Sequence, residues 1–270
     1  MPRRMLTSMV MTPTITVTVT IITITATSAG LTRTIIAMSA ARAEAESFPE
    51  LPLLLWLSPA FPVGSFAYSH GLEWAVEAGD IADAASLRGW LGDLLSFGAP
   101  RNDAILFASA FRAAAAEDKK GIARLNELAV ALAGSAERRL ETVAQGGAFL
   151  AAMRGAWATP ALDLIDAESD EPVAYAIAVA LAASGHGLAL ATSLQAFVLS
   201  LLANLVSAAV RLGPIGQSDG QRVLAGLLPE VRRLAAEAAD ATPDDLGGCA
   251  LRSDIAAMRH ETQYSRLFRS

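Results

Sequence analysis

The chain has 270 residues, a net charge of −6, and 53% hydrophobic residues of which few are aromatic (6%), so its apolar mass is chiefly aliphatic and long enough to bury a core. No basic run exceeds two residues, which argues against nucleic acid as a partner. A single cysteine, Cys249, excludes an internal disulfide framework and fits a reducing compartment.

Residues 1–47 are a composition outlier. In "TPTITVTVTIITITATSAGLTRT" Thr alternates with Ile or Val, the period of a strand in a chain otherwise written for helices. Arg3 and Arg4 precede an uncharged run, as in an export signal, but Thr at every second position makes a poor apolar region. The expectation is an extension outside the fold, disordered or upstream of a truer start at Met38. An export signal and a real strand are the alternatives.

From residue 50 onward each segment reads as helix punctuated by Gly or Pro. "ELPLLLWLSPAFP" is a short apolar helix stopped by Pro59 and Pro62. Residues 66–78 predict a helix capped by Ser65 and ended at Gly79. Asp83 caps the next, with Leu87, Trp90, Leu91, Leu94 and Leu95 on one face. Pro100 opens another, and 118–133 with 135–157 form a helical hairpin around Gly134. Between Glu171 and Arg211 there is no charged residue. That stretch spans a bilayer by length alone, but Ser, Gln and Asn recur along it, which favours buried central helices over a membrane anchor at 172–210. Short helices follow at 218–227 and 229–240, and a last one starts at Ser253 or Asp254. No repeat or interior linker divides the chain. The fold class is all-α, a single globular bundle of about ten helices around buried apolar ones, with 253–270 as a C-terminal tail.

Common catalytic signatures are missing. There is no G-x-x-x-x-G-K-[S/T] loop for nucleotide phosphates, and "GSFAYSHG" is not a nucleophile elbow. On a helix starting at Phe66, the side chains of Phe66, Ser69, His70 and Glu73 would share one side. A small hydrolase using Ser69, His70 and Glu73 is therefore one reading, although parallel neighbours on a helix rarely converge on one reacting atom. As metal ligands, His70, Cys249 and His260 are weak candidates, being far apart in sequence. His186, between glycines, reads as a turn residue. The terminal "HETQYSRLFRS" mixes Tyr264, Leu267 and Phe268 with Arg259, Arg266 and Arg269, the side chains of interface hot spots. It either packs on its own domain or docks on a partner.

Three segments in order, "LSPAFPVGSFAYSHGLE", "RLGPIGQSDGQ" and "SDIAAMRHETQYSRLFRS", resemble the UreF family of urease accessory proteins over about residues 48–270. Gly213 departs from the bulky apolar residue of that pattern. The resemblance implies an all-α, non-catalytic, cytoplasmic homodimer that bridges the accessory protein UreD (UreH) and the GTPase UreG and so delivers nickel to apo-urease. It implies no tightly bound cofactor, only transient nickel, and no membrane or nucleic-acid partner. By the same resemblance Phe66, Tyr68, Ser69, His70 and Glu73 form a docking surface. Arg259, His260, Glu261, Tyr264, Arg266 and Phe268 form a tail that orders on UreD and helps recruit UreG. Gln217, Asp219 and Gln221 fix the central loop or line a nickel path.

Overall fold

The computed structural model describes residues 22–28, 31–37, 50–166 and 171–270. The chain divides into two compact units, Met1–Phe48 and Pro49–Ser270. In the first, β1 (Ile22–Ser28) and β2 (Leu31–Ala37) pair antiparallel, with Ile22 opposite Ala37 and Ser28 opposite Leu31. The strand-period alternation of Thr with Ile or Val thus forms a hairpin. The rest of the extension expected over 1–47 lies outside the described residues.

The second unit is all-α. Its described residues form α1 (Leu51–Trp56), α2 (Leu72–Glu77), α3 (Ala84–Phe97), α4 (Ala99–Ala115), α5 (Lys119–Ala131), α6 (Ala136–Ala156), α7 (Tyr175–Gly185), α8 (Leu190–Leu212), α9 (Gln217–Asp240) and α10 (Leu251–His260). Side-chain caps set three of these starts, of which the sequence identifies Asp83 as a cap. Asp83 and Ser86 make a capping box on α3, Asp118 accepts from the Gly121 N–H at α5, and Ser135 from the Arg138 N–H at α6.

The uncharged stretch supplies the centre. Every residue of α7 from Tyr175 to Ala183 is buried, because α4 and α6 pack against it; a helix apolar all round needs cover all round. Among the described residues α8 alone is long and apolar enough to cross a membrane by length and composition, and half of its most apolar window is buried inside the domain. It packs on α9. Gly213 ends α8 with φ +95, a left-handed conformation that the bulky apolar residue of the family pattern would adopt only under strain.

Three expectations are corrected. No helix starts at Phe66: Ser65–Ala67 is a single 3₁₀ turn, and Ser65 makes no capping hydrogen bond to it. Left-handed residues at Gly64, His70 (φ 56) and Gly71 then break the chain before α2 begins at Leu72. The two short helices at 218–227 and 229–240 are one, α9, which runs through Pro229. Its buried stripe of Val223, Leu227, Val231, Leu234 and Ala238 keeps helical register across the proline, so packing outweighs the lost backbone bond. Finally, α10 begins at Leu251, ahead of Ser253 and Asp254.

Candidate functional site

The two segments singled out in the sequence meet in the structure, and what joins them is a buried row of polar side chains from α6. Glu137, Glu141 and Gln145 recur every four residues and so share one helix face. They are only 8%, 2% and 4% exposed. An acidic stripe of that kind usually faces water; here the C-terminal segment covers it.

At one end of the row, His260 is fully buried between two carboxylates. Its Nδ1 lies 2.6 Å from Glu137 and its Nε2 3.1 Å from Glu73. Each ring nitrogen thus faces a carboxylate oxygen, and the imidazole on α10 ties α2 to α6. The other oxygen of Glu137 accepts from Arg266 at 2.7 Å. Glu73 also accepts the backbone N–H groups of Leu267 (2.6 Å) and Phe268 (2.9 Å). Such charge-assisted bonds to backbone donors hold an otherwise irregular segment in place.

At the other end, Glu141 accepts from His70 Nε2 (2.8 Å), Gln145 (2.9 Å), the Ser270 hydroxyl (3.0 Å) and the Arg138 guanidinium. Burial on its own drives this carboxyl upward. Arg138, His70 and the Ser270 hydroxyl outweigh it and hold the pKa down at about 2. His70 is shifted down by burial and by Arg138, against the pull of Glu141. The pair is therefore a neutral imidazole donating Nε2–H to an ionised carboxylate.

The turn and the tail are also joined directly. Ser69 donates its N–H and its hydroxyl to the Ser270 carbonyl, each at 2.5 Å, and the Arg269 N–H donates to the Ala67 carbonyl at 2.8 Å. The Arg211 guanidinium of α8 lies over the rings of both Phe66 (3.6 Å) and Phe268 (4.4 Å) and donates to the Phe66 carbonyl. Gly71 lets α10 approach. A Cβ there would sit 2.5 Å from the Ala257 nitrogen, and its φ is +75.

This geometry sorts the expected residues. Tyr68, Ser69, His70, Glu73, His260 and Phe268 are buried, whereas Phe66, Arg259, Glu261, Tyr264 and Arg266 are exposed. Buried side chains do not themselves present a docking surface; these six fix the segments that carry them. Phe66, Ser69, His70 and Glu73 do not share a helix face, as no helix spans them. No Ser–His–Glu relay forms either: Ser69 is bonded to Ser270, His70 to Glu141, and Glu73 to His260 and the tail. The tail packs on its own domain, with Phe268 and Ser270 buried.

Gln217, Asp219 and Gln221 stand on the first turn of α9, and Asp219 pairs with Arg222 at 2.5 Å. The weak metal candidates do not gather. Cys249 is exposed beside Asp254 (3.6 Å), well apart in the pairing network from His70 and His260. Among the described residues no group of three or more His, Cys, Asp or Glu is placed to hold a metal ion. His186 caps the end of α7 and donates its Nε2–H to the Trp157 carbonyl (3.0 Å) beside Trp56. The sequence reading missed Glu137, Glu141 and Gln145. Their four-residue spacing on one long helix was the available signal.

Comparison with known proteins gives a consistent answer. The family model described as UreF matches residues 81–228. A urease accessory protein UreF of Xanthobacter autotrophicus is 60% identical over 220 residues, 82% of this chain and 90% of the relative. That of Methylobacterium radiotolerans is 53% identical over 226 residues, 84% and 99% of the two chains. That of Azorhizobium caulinodans is 52% identical over 220 residues, 82% and 95%. With more than half of the chain inside the family match and these relatives covered almost end to end, the chain belongs to the UreF family of urease accessory proteins.

Proposed function

We propose that this protein is a non-catalytic scaffold of urease maturation. It bridges UreD (UreH) and the GTPase UreG as a cytoplasmic homodimer, and the assembly delivers nickel to apo-urease. The observation that carries the reading is 60% identity across 90% of a protein named urease accessory protein UreF. Nickel is cargo in this scheme, held transiently, and no tightly bound cofactor is needed. The chain's lack of a phosphate-binding loop fits a division of labour in which UreG supplies the nucleotide chemistry.

The surface supports a docking role. Leu251, Ile255 and Met258 recur on the outer face of α10 and are 62%, 46% and 52% exposed, and Tyr264 and Leu267 stand out beyond them. An apolar strip of this kind beside Arg259 and Arg266 has the composition of an interface. In this reading the buried carboxylate row is the mount, and α10 with the tail is what partners touch.

Co-purification with UreD and UreG tests the proposal. Deleting residues 259–270, or replacing Tyr264 and Leu267 together by Ala, is expected to abolish capture of UreD and then of UreG. The double substitution leaves the buried network intact and so separates docking from folding. Undiminished capture by both variants would remove the tail from the mechanism.

A further inference from the structure

One cavity is not accounted for by the tail or by the scaffold reading. It has a volume of about 260 Å³ and lies among the end of α3, the start of α4, the α5–α6 turn, the 247–248 loop and α10. Its wall mixes apolar side chains, Leu94 and Phe97 among them, with Asp103, Arg138, Ser253 and Asp254.

The charges on this wall do not balance. The Arg138 guanidinium is already bonded to Glu141. Asp254 accepts the Cys249 thiol. Asp103 has neither a hydrogen bond nor an ion pair among the described residues, and Ser253, only 8% exposed, has no hydrogen-bond partner there either. A half-buried carboxylate and the hydroxyl of a buried serine thus open onto one space with no protein partner, so a ligand there would displace only water to reach them. Burial, the largest influence on Asp103, raises its pKa to about 6 against the pull of Arg138 and with a push from Glu141. It is therefore ionised at neutral pH and poised to gain from a positive neighbour.

We propose that this cavity binds a small organic cation, a primary ammonium or guanidinium group set against Asp103 with Ser253 as a second acceptor and its carbon chain along Leu94 and Phe97. An anion would meet two carboxylates and a guanidinium already engaged. A metal ion would want several converging ligands, and among the described residues no such group exists. An ammonium needs one carboxylate and a few neutral oxygens. The volume is below the ~300 Å³ at which drug-sized pockets begin, which suits an amine of a few carbons. The inference does not depend on the partners proposed above.

The test is calorimetric titration of the full chain with n-butylammonium, with n-butanol and sodium chloride as controls. The groups facing Asp103 are Arg138 and Glu141 from α6, His70 from the turn and Asp254 from α10. Saturable binding of the amine at pH 7.5, none of the alcohol, and at least a tenfold loss in Asp103→Asn are expected. In the parent protein affinity falls about tenfold by pH 5, as a group titrating near pH 6 requires, and this pH dependence disappears in Asp103→Asn. Ser253→Ala gives a smaller loss and, with circular dichroism, controls for folding. Equal affinity in parent and Asp103→Asn, binding of the alcohol, no binding at all, or Asp103-dependent binding of nickel or magnesium in place of the amine would each overturn the proposal.

Discussion

Replacing Glu141 by Gln probes the buried row most directly, since the substitution keeps the shape and removes the charge. In the native protein this carboxyl titrates at about 2 in place of 4.5, which corresponds to about 3 kcal/mol of stability at neutral pH. The folded pKa is depressed, so the contribution is complete above pH 4.5 and is lost as pH falls toward 2. The neutral variant leaves the half-buried Arg138 without its counter-ion, an interaction this figure already contains. For a domain of about 200 residues each kcal/mol moves the melting temperature by roughly 2–4 °C, so Glu141→Gln should melt about 6–12 °C lower at pH 7. The gap between variant and parent should close as pH falls from 5 to 2. Because Glu141 also holds the Ser270 hydroxyl, hydrogen exchange at the Phe268 and Arg269 amides should quicken ahead of that in α7. A loss below about 2 °C, or a gap that stays constant down to pH 2, would refute the account of Glu141 as an ionised hub.

Three further outcomes follow from the same geometry. Gly71→Ala drives a Cβ into the α10 backbone at 2.5 Å and strains φ at +75; it should cost about 2 kcal/mol or more, and an unchanged urea midpoint would contradict the close approach. Arg211→Ala removes two ring contacts and a carbonyl bond, about 1–2 kcal/mol in all. Limited proteolysis should then cut residues 262–270 sooner, and parent-like resistance would speak against Arg211 as a clasp. Asp103→Asn should stabilise the protein at pH 7 by up to about 3 kcal/mol, because a carboxyl raised from 3.8 to about 6 is unfavourable to the fold once ionised. That gain should grow as pH rises from about 4 to about 6 and be complete above it, and urea unfolding at pH 4 and pH 7 would expose its absence.

What the sequence made legible was local. The stripe of Leu87, Trp90, Leu91, Leu94 and Leu95 is buried in α3 as its spacing requires, and the cap at Asp83 acts within one turn of itself. The failures are where distant chain decides. The four-residue spacing puts Glu137 and Glu141 on one helix face, but nothing nearby says that this face is covered; the groups that cover it, His260, Arg266 and Ser270, lie 123 to 129 residues away. The helix predicted from Phe66 failed for a nearer reason. Gly64 and Gly71 bracket the segment, and each takes a left-handed conformation that ends a helix before it can propagate.

The chemistry of the mount bears on how the tail can serve a scaffold. The tail segment contributes only one large buried apolar side chain, Phe268; what otherwise fixes residues 266–270 is hydrogen bonds to Glu73, Glu137, Glu141, Ser69 and Ala67. A hydrogen bond given up to water costs about 1.5–3 kcal/mol net where the acceptor is charged, as at the glutamates here, whereas apolar burial scales with area and has no substitute in water. A segment mounted mainly by polar contacts therefore keeps a defined geometry while it is docked and can still be repositioned without dismantling the core beneath it. The exposed side chains it carries, Tyr264 and Leu267, stand on a fixed platform, so under the docking role proposed above a partner would not have to order the segment first. Ordering a flexible chain of that length would consume about 1–2 kcal/mol per residue of binding energy, and the buried carboxylates of α2 and α6 remove most of that cost before any partner arrives.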